Sequence, residues 1–448
     1  MELRRMATPS SSYRAWVPAA LEAAIITRAA HYHSLPAEKL EAEVHQLLRQ
    51  HSRYMDTECL NLYAGTNVMN PRAQKLLASG VGSRPSLGYP GDKYEMGMQY
   101  AEQLEIMAAE LLKEIFHCQF VEFRVGSGSL ANLYAFMATC KPGDRIMAFP
   151  ASAAGHVTHH AEGAAGLYGL EVQAVPFDGE QMAIDLSELR KQARELKPKL
   201  IVVAGSLCLF PYDVAGVRAI ADEVGAYVLY DAAHMSGLIA GGAFQQPLAE
   251  GAHLMTMSTY KSFGGPPAGL VLTNEAALAQ KLDAIAYPGL TANFDLSKTA
   301  ALILAALDIH EHGKAYAQMC IANAQALAAS LYARGCPVHV VEGRGFTVSH
   351  HIALPAHQWG GGTKASRLLE PANILTSGIG LPLEPIAGDF NAVRLGTQEL
   401  TRWGFIPDSM RDVAELICRV LVKSEAPETV RPEVVALRRN FQDLKFVR

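Results

Sequence analysis

The stretch LIVVAGSLCLFPYDVAGVRAIADEVGAYVLYD (residues 200–231) decides the fold. Its two apolar runs, Leu200-Ile-Val-Val-Ala204 and Tyr227-Val-Leu-Tyr230, show no alternation of polar and apolar residues. Each therefore reads as a strand buried on both faces. Val214–Val224 between them reads as a helix. Strand, helix, strand is the repeating unit of a parallel sheet with helices on both sides. The pattern extends outward from there. Val121-Glu-Phe-Arg124 reads as a strand and Ser129–Cys140 as a helix, stopped by Lys141-Pro-Gly-Asp144. Arg145–Phe149 reads as a strand, Asp185–Leu196 as a helix and GLVLT (269–273) as a further strand. In such α/β sheets ligands bind beyond the carboxyl ends of the strands.

The chain has 448 residues, 50% of them apolar and 19% charged, with a net charge of −5. That length suits more than one domain and a large core. The charge balance lacks the basic excess of a nucleic-acid-binding surface. No apolar run is long enough to span a membrane. Arg4 and Arg5 are not followed by a signal-like apolar stretch, because Glu22 and Arg28 interrupt it. The seven cysteines are scattered and form no C-x-x-C pair, which suits reduced thiols. These features together predict a soluble cytoplasmic protein. Residues 1–58 are expected to be a helical arm, with AEKLEAEVHQLLRQHSRYM (37–55) as its clearest helix. Residues 59–310 are expected to be the large domain and 311–448 a smaller C-terminal α/β domain. The latter should open with an Ala-rich helix (315–334), followed by strands near 337–341 and 351–354 and a Gly360–Gly362 loop.

Four features suggest chemistry. Gly126-Ser-Gly-Ser129 lies between a strand and a helix, where free N–H groups and serine hydroxyls can hold a phosphate. Asp231 ends a strand and points toward the ligand crevice; its structural alternative is a helix cap. His156 follows the 145–149 strand, and its flat ring can stack on an aromatic ligand. A metal site of His156, His159 and His160 is the competing reading, weakened by the lack of a carboxylate at ligand spacing. Lys261, in Met257-Ser-Thr-Tyr-Lys-Ser-Phe-Gly-Gly-Pro-Pro-Ala-Gly269, lies one strand–helix unit beyond Asp231. A lysine, a carboxylate and a phosphate cradle are what an aldehyde cofactor with a pyridine ring and a phosphate requires.

With those residues in place, the chain resembles the serine hydroxymethyltransferase family of fold type I pyridoxal-phosphate enzymes. The likeness runs from about 58 to 407. It rests on Asn61-Leu-Tyr-Ala64, Gly88-Tyr-Pro-Gly91, Ser127-Gly-Ser129 with Ala131-Asn132, Gly155-His-Val-Thr-His159, Asp231-Ala-Ala-His234, the lysine stretch, Pro288-Gly-Leu290 and Arg394-Leu-Gly-Thr397. The resemblance implies an aminotransferase-like fold with pyridoxal 5′-phosphate anchored on Lys261. It implies that Asp231 pairs the ring nitrogen, that His156 and Ala233 lie on either face of the ring, and that Ser206 and His234 lie near the ring hydroxyl. Ser127, Gly128 and Ser129 would hold the phosphate, with Ser258 and Tyr260 beside the lysine. Arg394 would grip the carboxylate of a small amino-acid substrate. The resemblance also implies a homodimer or tetramer with the site at the subunit interface, residues 60–97 and 287–298 reaching across.

The departures cluster on one part of the site. Family members carry a glutamate before G-Y-P-G that handles protons, and here it is Leu87; a tyrosine two residues earlier is Pro85. The double tyrosine after that motif is Tyr94-Glu95, and the S-E-N segment is Gly65-Thr66-Asn67. Ala292-Asn293 replaces a glycine pair, and Ser377-Gly378-Ile379 stands where a folate-contacting segment is expected. A leucine cannot transfer a proton. These changes argue against use of tetrahydrofolate and for a folate-independent aldolase or transaldolase. Such an enzyme would act on the Cα–Cβ bond of serine, threonine or α-methylserine. Thr66, Leu87 and Tyr94 are the candidate substrate contacts and Glu95 a candidate acid–base group, unless Glu95 merely pairs with Lys93 or an arginine. Three other readings stay open. One is a folate-dependent serine or α-methylserine hydroxymethyltransferase using Glu95 or another carboxylate. The second is a racemase, aminotransferase or decarboxylase. The third is a non-catalytic paralogue, against which intact Lys261, Asp231, His156 and Arg394 argue.

Overall fold

The computed structural model describes residues 14–448 apart from Ala292. A first unit ends at Glu58 and a second runs from Cys59 to Arg448. The first contains helices α1 (Ala19–Ser34) and α2 (Ala37–Arg53), the latter within the helix expected over 37–55. Leu40, Val44, Leu47 and Leu48 recur on α2 at helical spacing and are exposed.

The second unit is built on a seven-stranded sheet. Its strands are β1 (Phe120–Val125), β2 (Arg145–Ala148), β3 (Glu171–Ala174), β4 (Leu200–Val203), β5 (Tyr227–Asp231), β6 (Leu254–Ser258) and β7 (Gly269–Thr273). The spatial order is β1-β7-β6-β5-β4-β2-β3. Strands β2 to β6 pair in parallel, whereas β7 runs antiparallel to both β6 and β1. The unbroken apolar runs are explained by two cores. Ile201, Val203, Val228, Tyr230, Met255 and Met257 enter one hydrophobic cluster. Their alternate neighbours Leu200, Val202, Leu229 and Leu254 enter another on the opposite face. A strand with a core on each face has no polar face to alternate with.

Helix α3 (Gly128–Thr139) covers one face, placing Ala131, Tyr134, Ala135 and Ala138 in its core. Helices α4 (Leu186–Leu196) and α5 (Val214–Val224) cover the other with Leu189, Ala193, Val217 and Ile220. Each starts where an N-cap side chain accepts a backbone N–H: Ser127 from Leu130, Asp185 from Glu188 and Asp213 from Gly216. Such a cap contributes about 1 kcal/mol.

Helix α6 (Leu296–Ala333) is 38 residues long, so the helix expected from 315 is only its second half. It starts at the Asp295 cap, and its run without proline passes through the boundary expected at 310. A three-stranded antiparallel sheet follows, β8 (His351–Pro355), β9 (Ser377–Ile379) and β10 (Ala392–Gly396), in the order β8-β10-β9. The strand expected near 337–341 does not form. Pro337 has no N–H to donate, and this stretch reaches β8 through His339 N–H to the Ala353 carbonyl at 2.8 Å. Leu60–Asn61 pairs in parallel with Ile374–Leu375, so the start of the second unit joins its C-terminal region.

Leu229 is fully buried in the central strand. Leu229→Ala should cost about 2–5 kcal/mol, read as a lower urea midpoint with unchanged slope.

Candidate active site

The predicted residues converge at the carboxyl ends of the parallel strands. Asp231 is the last residue of β5, and Ser258 the last of β6 with Lys261 in the turn after it. Ser206 follows β4, His156 follows β2, and Arg394 comes from β10 of the small sheet. The turn after Lys261 is closed by Gly264 N–H to the Lys261 carbonyl at 3.0 Å and Gly265 N–H to the Thr259 carbonyl at 2.7 Å. Gly264 has φ +74°, the left-handed region where a side chain is strained. The glycine-proline segment therefore directs the lysine inward.

Asp231 is buried, which by itself would favour the neutral acid. Three donors oppose that. His159 Nε2 lies 3.0 Å from Oδ2, the Asn132 amide donates to the same oxygen at 2.9 Å, and Ala233 N–H donates to Oδ1 at 2.9 Å. Burial pushes the carboxyl up, but the hydrogen bonds from His159 and Asn132 hold it well below the usual range. Asn132 is itself oriented, its oxygen accepting from Thr256 at 2.7 Å and its amide also donating to Thr158 at 2.9 Å.

Lys261 is 7% exposed, and burial lowers its amine from 10.5 to about 8. Its Nζ lies 3.1 Å from His234 Nε2. His234 donates Nδ1–H to the Ala64 carbonyl at 3.1 Å, so Nε2 carries the lone pair. That lone pair also faces the Arg394 guanidinium at 3.3 Å. Burial and the two cations drive His234 well below its ordinary value, so it is neutral. Arg394 donates to the Ser206 carbonyl and to the Ser377 hydroxyl at 3.1 Å, and its carbon lies 5.9 Å from the Tyr63 ring. Burial lowers Arg394 to about 10, which still leaves it charged at neutral pH.

The residues fit the cofactor that the sequence suggests. Ser127 caps α3, and Gly128 and Ser129 open its first turn, where N–H groups lack helical partners. A Cβ on Gly128 would stand 2.1 Å from Ser258 Oγ, so a larger residue here would force the Ser258 hydroxyl to turn away. An ionised Asp231 suits a protonated ring nitrogen, and the His156 ring, lowered by burial to about 4, is neutral. The three histidines weighed as metal ligands diverge. His156 Nδ1 faces Thr158, His159 faces Asp231, and His160 Nε2 faces the Phe149 carbonyl.

Other predicted residues make no hydrogen bond to Lys261, Asp231 or Arg394 among the described residues. Leu87, Tyr94 and Glu95 belong to the hairpin Gly88–Tyr89/Asp92–Lys93, and Tyr94 is 76% exposed. Glu95 Oε2 accepts the Leu87 N–H at 2.9 Å. Lys93 pairs with Glu105 at 2.7 Å, both side chains buried, so the Glu95–Lys93 bridge weighed as an alternative is absent among the described residues. Tyr89 of this hairpin lines a cavity of about 490 Å³ with Arg124, Asp283 and Glu105. Thr66 lies near Asn61 and Glu399, at 3.0 and 3.3 Å. Tyr260 is half-buried and Ser129 exposed. Ala292 lies outside the described residues. Sequence reasoning missed His159 and Asn132 as the partners of Asp231. Both sit in the quoted motifs, and the H-V-T-H spacing within one tight turn was the available signal.

The family model described as serine hydroxymethyltransferase matches residues 37–417. An alpha-methylserine aldolase of Variovorax paradoxus is 52% identical over 97% of this chain and 98% of its own length. One from a Ralstonia species is 48% identical over 97% and 99%. A serine hydroxymethyltransferase of Methanopyrus kandleri is 40% identical over 90% and 95%. The crystal structure of an L-threonine transaldolase from Pseudomonas fluorescens superposes with a TM-score of 0.83 at 24% identity, covering 92% of this chain and 94% of that one; it is a likeness of fold.

Only the neutral amine of Lys261 attacks an aldehyde. Capture of pyridoxal phosphate by the apoprotein should therefore accelerate as pH rises through about 8 and level off above it. Stopped-flow absorbance would measure this, and a rate still climbing toward the ordinary 10.5 would show that burial does not depress this amine.

Proposed function

The chain belongs to the serine hydroxymethyltransferase family, and from that premise we propose that it is a folate-independent aldolase for β-hydroxy amino acids of the α-methylserine type. Pyridoxal 5′-phosphate, when bound, supplies an electron sink for the carbanion left at Cα. The observation that carries the folate-independent reading is Leu87, an alkyl side chain where family members keep a proton-handling carboxylate. The identity to alpha-methylserine aldolases along nearly the whole chain supports the same substrate class.

In this reading Arg394 binds the substrate carboxylate through its planar fork. Its bonds from one terminal nitrogen to Ser206 and from the other to Ser377 keep that fork from rotating. His234, neutral and anchored on Ala64, separates the arginine from the lysine and accepts from both. Lys261, with its amine near 8, can hold or release a proton at neutral pH. Asp231, ionised, would pair the ring nitrogen of the bound cofactor and favour its protonated form. In α-methylserine the Cα–Cβ bond breaks, the hydroxyl proton leaves, the hydroxymethyl carbon departs as formaldehyde, and Cα gains a proton to give alanine.

Leu87, Tyr94 and Glu95 are proposed to act in a neighbouring copy of the chain, with 287–298, in a homodimer or tetramer. In one chain these residues bond one another, Leu87 N–H to Glu95 at 2.9 Å and Tyr94 N–H to the Leu87 carbonyl at 3.1 Å, which leaves them available to a neighbouring copy and supports that placement. Seven buried free thiols support a reducing, cytoplasmic setting. One observation favours a second reading. Glu95 brings a carboxylate to the backbone of position 87, where it could replace the family glutamate in folate-linked transfer.

Formaldehyde release from α-methylserine, assayed with and without tetrahydrofolate, decides between the two. Release without folate is expected, and a strict folate requirement would overturn the proposal. Arg394→Ala should raise KM for the amino acid by about tenfold or more. Lys261→Ala should abolish turnover while circular dichroism stays unchanged.

A further inference from the structure

The segment Thr347-Val-Ser-His-His351 binds the loop that follows β4 along its length. Val348 N–H donates to the Leu209 carbonyl at 3.0 Å, and the Thr347 hydroxyl donates to the same oxygen at 3.2 Å. The Ser349 hydroxyl donates to the Cys208 carbonyl at 2.5 Å. Cys208 N–H in turn donates to His351 Nδ1 at 3.2 Å. Thr347, Cys208, Ser349 and His351 are all buried. The loop held in this way carries Ser206, whose carbonyl takes a bond from Arg394.

His351 occupies the end of this seam nearest the site. Accepting at Nδ1 puts the proton of the neutral ring on Nε2. The ring stands edge-on to His234, centroids 5.3 Å apart at 65°, with the His350 ring 4.0 Å away on another side. His234 is the imidazole whose single lone pair faces both Lys261 and Arg394. A shift of the loop moves the Ser206 carbonyl, and a tilt of His234 moves the lone pair. Both displace the guanidinium.

We infer that His351 is a positioning residue for amino-acid binding: it ties the Ser206 loop to β8 and braces His234, so that Arg394 presents its fork to the substrate carboxylate. The inference rests on the assignment of Arg394 to that carboxylate. It distinguishes an acceptor role from simple space filling. Leucine has similar bulk and would leave the Cys208 N–H buried without an acceptor, whereas asparagine can offer its amide oxygen.

The test is steady-state kinetics of the cofactor-loaded enzyme for His351→Leu, His351→Asn, Ser349→Ala and Arg394→Ala, with thermal midpoints measured in parallel. His351→Leu should raise KM for the amino acid by about tenfold with kcat changed less than about threefold, the pattern of lost binding rather than lost chemistry. His351→Asn should recover most of that affinity. Ser349→Ala, which loosens the same seam without touching a ring, should raise KM in the same direction and keeps the test valid if His351→Leu does not fold. An unchanged KM in His351→Leu or in Ser349→Ala, whatever the thermal midpoint, overturns the inference. So does an equal KM rise in His351→Asn, which would make the role one of shape. If KM is unchanged in Arg394→Ala, the assignment underneath fails instead.

Discussion

The site depends on a buried carboxylate that stays ionised. Placing an aspartate at the end of the central strand β5, among apolar residues on both faces, would ordinarily neutralise it. His159, Asn132 and the Ala233 N–H prevent that, and each is fixed by something else. Asn132 sits on α3 and is oriented by Thr256 on β6. His159 is held in the tight turn that His156 opens. The parallel order of β4, β5 and β6 puts the ends of all three strands on one edge, so the loops bearing Ser206, Asp231 and Lys261 meet there. Much of the large sheet can be understood as the scaffold for one negative charge.

Against that charge stands a set of cations kept in balance by neutral imidazoles. Lys261 and Arg394 would repel each other if both faced the substrate without separation. His234 lies between them and accepts from both. Its other nitrogen is committed to Ala64, so it cannot flip without losing a buried bond. This arrangement leaves an amine that titrates near neutral pH beside a guanidinium that does not, which suits proton movement at one and carboxylate binding at the other.

The sheet and the lysine were legible because their signals are local. Unbroken apolar runs mark strands covered on both faces, and the β–α–β stretch at 200–231 folds as its pattern implies. The antiparallel turn of β7 was hidden, since a buried strand reads the same in either direction. Helix α6 was longer than expected because its apolar content is spread around the whole helix instead of forming a stripe. Among the described residues, the strand expected at 337–341 reaches β8 only through His339, because Val338 and Val341 donate to the local Cys336 and Gly345 carbonyls instead. At the site, Lys261, Asp231, His156 and Arg394 were singled out by residue type and motif and the fold brings them to one edge of the sheet, whereas His159, Asn132 and His351 contact other side chains and look like ordinary core polar residues. Lys93 was one of the partners weighed for Glu95, but the hairpin turns it toward Glu105.

The most direct measurement is the ¹⁵N NMR shift of the enzyme loaded with cofactor labelled at its ring nitrogen. The account predicts a protonated nitrogen in the wild type across neutral pH and loss of that signature in Asp231→Ala. An unprotonated ring nitrogen in the wild type would contradict it, because the carboxylate around which the site is built would then not be holding the charge assigned to it.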